Sequence, residues 1–149
     1  MSPRVVALVP ARNEADRIGA TVSALRELRD VDEVVVVDDG STDGTASVAL
    51  AGGAAVLRTG RRTGKGGALE GGLRRLPAAD VWLFADADLG ETAASLSAVL
   101  EPVIDGRADL AIAVFPEGQG GGGLGMVKRS AARAIRVLSG FPALEPLSG

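Results

Sequence analysis

The sequence predicts an α/β protein built on an open, mostly parallel sheet with helices on both faces. Three observations carry this expectation. Short apolar runs alternate with segments of helical spacing along the 149 residues, and the connections between them are short. One run, Val34 to Val37, is β-branched and apolar without interruption, as in a strand covered on both sides. A sheet of this kind holds its ligands beyond the carboxyl ends of its strands.

Arg4 to Val9, closed by Pro10, reads as the first strand. From Asp16 to Leu28, apolar residues at Ile18, Val22, Leu25 and Leu28 mark the first helix. Glu33 to Asp38 is the second strand and ends on carboxylates. Thr45 to Ala51 forms a short helix, Ala54 to Arg58 a third strand, and Lys65 to Leu76 a helix interrupted by glycines. Asp80 to Asp86 is the fourth strand. Ser95, Leu96, Val99, Leu100 and Val103 share one face of a further helix that Thr92 is placed to cap, and Leu110 to Phe115 reads as a fifth strand. Gly118 to Gly125 is a glycine-rich loop. Beyond it, Leu124, Val127, Ala131, Ile135, Leu138 and Phe141 fall on one helical face, with Lys128, Arg129, Arg133 and Arg136 on the other.

With 46% hydrophobic and 23% charged residues, the composition is that of one globular domain. No apolar run reaches the roughly 18 residues of a membrane span, and the start of the chain does not read as a secretory signal, so a cytoplasmic protein is expected. The chain has no cysteine and no histidine. Disulfides, thiolate metal sites, imidazole bases and the usual zinc sites are therefore excluded. A metal here must be held by oxygen, which suits Mg2+ or Mn2+. The net charge of −3 hides a basic stretch over 58–79 between acidic ones, a pattern that fits either solvated helix faces or an anion site beside a cation site. No nucleic-acid partner is expected.

The strand ends hold the chemistry. Asp86-Ala87-Asp88 closes an apolar strand, where carboxylates are costly unless a cation or hydrogen bonds compensate them. Two carboxylates one residue apart can share a divalent ion, or one of them can simply cap a turn. Asp38-Asp39-Gly40-Ser41-Thr42-Asp43-Gly44 puts three carboxylates after the second strand, either as acceptors for a nucleotide or as an Asx-rich turn. A calcium loop is excluded because Leu50 stands where a bidentate Glu is required. Gly60-Arg-Arg-Thr-Gly-Lys-Gly66 opens a helix and offers amides and Lys65 to a diphosphate. It is not a Walker loop, because the glycine spacing is one residue short and Gly66 replaces the magnesium-binding Ser or Thr. After the first strand stands Val9-Pro-Ala-Arg-Asn-Glu14 in place of Gly-x-Gly-x-x-Gly, which removes support for a nicotinamide oxidoreductase.

Taken in order, Val9-Pro-Ala-Arg-Asn-Glu14, Val37-Asp-Asp-Gly-Ser-Thr-Asp43, Gly64-Lys-Gly66 and Asp86-Ala-Asp88 resemble glycosyltransferase family 2, in particular its dolichyl-phosphate mannose synthase-like branch. The resemblance implies the GT-A nucleotide-diphospho-sugar transferase fold. It also implies an inverting, metal-dependent transfer of sugar from a UDP-sugar or GDP-mannose to an acceptor, polyprenyl phosphate in that branch. Pro10, Arg12 and Glu14 would line the nucleoside pocket with Asp39 contacting the base, Ala11 and Asp38 would be further substrate-binding residues, and Lys65 would lie near the donor. Asp86 and Ala87 would lie on the ribose or sugar side. Asp88, with Asp86, would hold Mg2+ or Mn2+. An ionised phosphate acceptor needs no catalytic base, and the 124–141 helix would suit peripheral contact with the inner face of a membrane.

Arg12 stands where many members of the branch carry an aromatic residue. By the same resemblance, residues 1–149 correspond to a catalytic domain that lacks its C-terminal, acceptor-side part. Two alternatives remain at this point. One is a sugar-nucleotide-binding module without catalysis. The other is a haloacid dehalogenase-type phosphatase with Asp86 as nucleophile.

Overall fold

The computed structural model describes residues 2–113. Four parallel strands form one sheet in the order β3-β2-β1-β4, with β1 Val5–Ala11, β2 Glu33–Asp38, β3 Ala55–Arg58 and β4 Val81–Phe84. The helices between them are α1 Ala15–Arg26, α2 Thr45–Ala51 and α3 Gly64–Arg75. A 3-10 helix, Gly90–Leu96, runs directly into α4, Ser97–Ile104.

The alternation of side chains along a strand divides the core in two. Val5, Ala7 and Val9 of β1 and Val34 and Val36 of β2 face Ile18, Val22 and Leu25 of α1, with Leu100 of α4 in the same cluster. Val6 and Leu8 of β1 and Val35 and Val37 of β2 face the other way, onto Ala68 of α3. Helices thus cover both faces, and this is why Val34 to Val37 shows no polar alternation. On the second face α3 comes very close. A Cβ placed on Gly72 would lie 3.0 Å from Val37 Cγ2 and 3.1 Å from both Leu8 methyls. The glycines that interrupt this helix in sequence therefore include one that close packing requires.

Register sets the strand ends level with one another. Ala11 pairs with Asp38, and Asp38 with Arg58, so the loops after β1, β2 and β3 leave the sheet side by side. On the opposite side of β1, Leu8 pairs with Phe84.

Three expectations are corrected. The fourth strand stops at Phe84 and not at Asp86, because the ladder to β1 ends with the Ala85 amide donating to the Leu8 carbonyl at 3.2 Å. Thr92 does not cap a helix. It lies inside the 3-10 segment, and its hydroxyl donates to the Leu89 carbonyl. Residues 110–113 form no strand. They pair with no neighbour among the described residues, Leu110 is 75% exposed, and an apolar run becomes a strand only where a ladder partner receives it. The rest of that expected strand and the basic amphipathic helix over 124–141 lie outside the described residues. No helix among the described residues is long and apolar enough to cross a membrane.

Candidate active site

The loops after β1 and β2 are tied to each other by side chains from one to amides of the other. Asn13 adopts a left-handed conformation with φ 54°, one that Asn tolerates better than most residues. This turns its amide onto Ser41 Oγ at 3.0 Å, while its own Oδ1 accepts from the Thr42 amide at 2.9 Å. The Glu14 amide donates to Thr45 Oγ1 at 2.8 Å, and the Ala15 amide to Asp43 Oδ2 at 3.2 Å. Asp43 also accepts from the Thr45 amide, at 3.0 Å. Hydrogen bonds from the Thr45 hydroxyl and amide, together with that of Ala15, hold the Asp43 carboxyl below the ordinary carboxylate value. Ser41, Thr45 and Asp43 thus fix the backbone amides of Asn13, Glu14 and Ala15.

Asp38 and Asp39 take structural partners. The Asp38 side chain is fully buried; its Oδ1 accepts from the Ser41 amide at 2.9 Å and its Oδ2 from Arg58 Nε at 3.0 Å. Its ladder position opposite Arg58 makes that cation its counter-charge, so in this structure the expected substrate-binding residue Asp38 has its carboxylate turned into the fold. Asp39, 4% exposed, accepts at 2.7 Å from the Thr63 amide, the Thr63 hydroxyl and the Gly64 amide, and at 3.2 Å from the Thr59 hydroxyl. It caps the start of α3 from another loop, where the helix leaves amides without partners. Burial pushes its carboxyl up, but the hydrogen bonds from Thr63, Gly64 and Thr59 outweigh that and hold it below the ordinary value. Gly40, at φ +73°, directly follows the two carboxylates. A Cβ there would come within 3.3 Å of the Arg61 and Arg62 backbone, so the loops after β2 and β3 meet at this glycine.

The carboxylates after β4 are held differently. Asp86 is 43% exposed and its Oδ1 lies 2.5 Å from Lys65 Nζ on the first turn of α3. Asp88 is 48% exposed and its Oδ2 lies 3.5 Å from Arg17 Nη1, whose Nε reaches Glu14 Oε2 at 3.3 Å. These contacts bring four of the expected residues, Glu14, Lys65, Asp86 and Asp88, onto one rim. Pro10 and Arg12 lie on the same β1 loop, Arg12 exposed and Pro10 half-buried. Ala11 and Ala87 are buried, so only their backbone atoms are available to a ligand.

The turn itself rests on a residue that motif reading passes over. Thr21 of α1 is fully buried, donates to the Ala87 carbonyl at 2.8 Å and accepts from the Gly90 amide at 2.8 Å. Arg17 was likewise missed. The signal for Thr21 was a hydroxyl on the apolar face formed by Ile18, Val22 and Leu25; for Arg17 it was only a position one helical turn before Thr21.

Asp86 and Asp88 suit a hard divalent ion. Both are oxygen donors, and among the described residues neither has its oxygens filled by amide hydrogen bonds and each faces only a long cationic side chain. No group of three acidic residues converges among the described residues. A magnesium-type site with one or two carboxylates normally completes its shell with water and substrate phosphates, so this donor set fits an ion that arrives with a diphosphate.

The sequence model of Glycosyl transferase family 2 matches residues 6–141. The chain is 40% identical over 93 residues to a glucosyl-3-phosphoglycerate synthase of Mycolicibacterium paratuberculosis, covering 55% of this chain and 27% of that protein. A crystal structure of the Mycobacterium tuberculosis glucosyl-3-phosphoglycerate synthase with Mn2+, UDP-glucose and phosphoglyceric acid superposes with a TM-score of 0.73 at 29% identity, over 99% of this chain and 55% of that one. Mannosyl-3-phosphoglycerate synthase from Rubrobacter xylanophilus gives 0.58 at 32% identity, over 69% and 36%. The chain therefore spans about a quarter to a half of the length of these relatives. The expected GT-A architecture is borne out by this likeness, and the dehalogenase-type alternative loses its basis. Four ordered strand-end motifs, the sheet that aligns them and the family match together make the chain a member of glycosyltransferase family 2.

Proposed function

We propose that this chain carries the donor half of a metal-dependent glycosyltransferase that uses a nucleotide-diphosphate sugar, with UDP as the nucleotide. The observation that carries the reading is the division among the strand-end carboxylates: Asp38, Asp39 and Asp43 are filled by structural hydrogen bonds, whereas Asp86 and Asp88 are paired, among the described residues, only with the side chains of Lys65 and Arg17. The relatives crystallised with UDP and Mg2+ or with UDP-glucose and Mn2+ support the choice of nucleotide and ion.

In this reading Pro10 to Glu14 hold the nucleoside on a backbone that Ser41, Thr42, Asp43 and Thr45 keep rigid. Asp88, with Asp86, would hold Mg2+ or Mn2+, which supplies neutralisation of charge on the departing diphosphate. Lys65, whose ammonium lies 2.5 Å from Asp86 Oδ1, would add a positive charge near the leaving oxygens. Asp39 acts at one remove, by holding the α3 start that carries Lys65.

The acceptor is proposed to be phosphorylated. The relatives' names and ligands support a phosphoglycerate-type acid over the polyprenyl phosphate of the resembling branch, and the acceptor-side residues of the whole protein decide between them. A polyprenyl phosphate attacks through an oxygen that is already ionised, whereas the hydroxyl of a phosphoglycerate must give its proton to a base, and a full-length protein supplied with 3-phosphoglycerate or with a short polyprenyl phosphate separates the two. The anomeric configuration of the product, read by proton NMR, tests the inversion implied by the family resemblance.

The experiment on this chain is calorimetric titration with UDP and with GDP, with and without Mn2+, beside an Asp86→Ala, Asp88→Ala double variant. Mn2+-dependent binding of UDP that is lost in the folded double variant is expected. Equal binding by parent and double variant would refute the metal assignment, and preference for GDP would refute the nucleotide. UDP binding by a chain that neither hydrolyses nor transfers the sugar is the result expected of a binding module.

A further inference from the structure

We propose that Thr21 is a positioning residue for the Asp86-Ala87-Asp88 turn, and through it for the divalent ion; the inference rests on the function proposed above. Thr21 lies on the middle of α1 among Ile18, Val22 and Leu25, on the helix face that packs against β1 and β2. A threonine there forgoes apolar packing and buries a hydroxyl, which costs free energy unless both its donor and its acceptor functions are used. Both are used, and on the same turn. The hydroxyl hydrogen goes to the Ala87 carbonyl at 2.8 Å, between the two carboxylates, and the oxygen accepts from the Gly90 amide at 2.8 Å, two residues beyond Asp88. With the donor spent on Ala87, the Arg17 carbonyl 3.3 Å away is a secondary neighbour.

The consequence follows from where the chain is and is not supported. After Ala85 the ladder to β1 has ended, so regular structure does not hold residues 86–89. Gly90 has φ +57° and opens the 3-10 helix, which turns the chain back over α1. Asp88 is therefore bracketed by two backbone groups clamped to one buried side chain. The carboxylates are half-exposed and held only by flexible cations, so their direction is set by the backbone that Thr21 fixes. A group that orients a ligating carboxylate in this way commonly governs metal affinity by about 10- to 100-fold.

Thr21→Val keeps the shape and removes the hydroxyl; Thr21→Ser keeps the hydroxyl and removes a methyl. Mn2+ binding to the chain in the presence of UDP, followed by electron paramagnetic resonance of free Mn2+, is expected to weaken about tenfold in Thr21→Val and to stay within about threefold of the parent in Thr21→Ser. A purely structural role would lower the melting temperature of both variants and leave the affinity of the folded fraction unchanged. Where Thr21→Val does not fold, Thr21→Ala replaces it in the same comparison. In the parent chain, the Gly90 amide should exchange slowly with solvent deuterium. Parent-like Mn2+ affinity in the valine or alanine variant, equal weakening by serine, or a freely exchanging Gly90 amide would each overturn the inference. A parent that binds no Mn2+ with UDP would overturn the proposed function itself, and this inference with it.

Discussion

Two neighbouring glycines on α3 should respond to the same substitution with opposite signs. A glycine inside a helix costs about 0.8–1.0 kcal/mol relative to alanine, so Gly→Ala is stabilising where nothing opposes it. At Gly71 a new Cβ meets nothing within 4 Å, and Gly71→Ala should raise stability by up to about 1 kcal/mol. At Gly72 the new carbon lies 3.0 Å from Val37 Cγ2 and 3.1 Å from Leu8 Cδ1 and Cδ2. Val37 and Leu8 are 1% and 0% exposed and sit on the two central strands, so neither side chain has room to retreat. Overpacking a rigid core costs about 1–3 kcal/mol, which exceeds the helical gain. Gly72→Ala should therefore lose about 0–2 kcal/mol, with the difference between the variants about 1–3 kcal/mol. Urea unfolding followed by circular dichroism measures both, and the midpoints should move in opposite directions at similar slope. If Gly72→Ala stabilises as much as Gly71→Ala, α3 does not pack on Leu8 and Val37 at the closeness described, and the placement of Lys65 at its start loses its support.

Other variants probe the loops. Asp39→Asn removes the charge on which Thr63, Gly64 and Thr59 converge, and its amide group must face the Gly64 amide; a loss of about 1–2 kcal/mol at neutral pH is expected by chemical denaturation. Because the Asp39 carboxyl titrates lower in the folded chain than in the unfolded one, its contribution is complete above the ordinary carboxylate value near 3.9 and disappears as pH falls through the lowered native value. The acid limb of the stability curve should accordingly be shallower in Asp39→Asn, and an unchanged limb would exclude this assignment. Asn13→Ala gives up the Thr42 bond and places alanine at φ 54°, whereas Asn13→Gly gives up only the bond; a drop in UDP affinity that is larger for alanine is expected from calorimetry. Arg17→Gln removes the cation beside Asp88, but an exposed pair at 3.5 Å contributes at most about 1 kcal/mol, so Mn2+ affinity with UDP should change by less than about fivefold.

What the sequence made legible was whatever depends on short-range pattern. Val34 to Val37 announced a strand covered on both faces, and the apolar spacing of Ile18, Val22 and Leu25 gave the side of α1 that meets it. The strand-end position of every motif followed from that alternation. The fates of the carboxylates were not legible, because their partners are distant in sequence. Asp38 is neutralised by Arg58 only because parallel register puts them level, and Asp39 is filled by Thr63 and Gly64 only because Gly40 lets two loops touch. The 3-10 helix was hidden for a related reason. Gly90 and Thr21 fix that turn across nearly seventy residues of chain, and local propensity at Thr92 pointed to an ordinary cap.

The same contrast separates scaffold from site among residues of one chemical type. A carboxylate that accepts amide hydrogen bonds from its surroundings loses those bonds if a metal or ligand takes its oxygens, and each one lost inside the fold costs about 1–3 kcal/mol. Asp38 and Asp39 are in that position, and binding through them would work against folding, whereas the exposed Asp43 is occupied by the Thr45 and Ala15 amides without being buried. Asp86 and Asp88 give up only an exposed ion pair, worth about 0–1 kcal/mol, and the released Lys65 and Arg17 remain beside an arriving diphosphate. In the proposed function, exchange of a weak internal cation for a divalent ion with its phosphates would therefore carry little structural cost at these two residues. That asymmetry, and not the bare spacing of the motif, is the physical argument behind the proposed place of the ion at the end of β4.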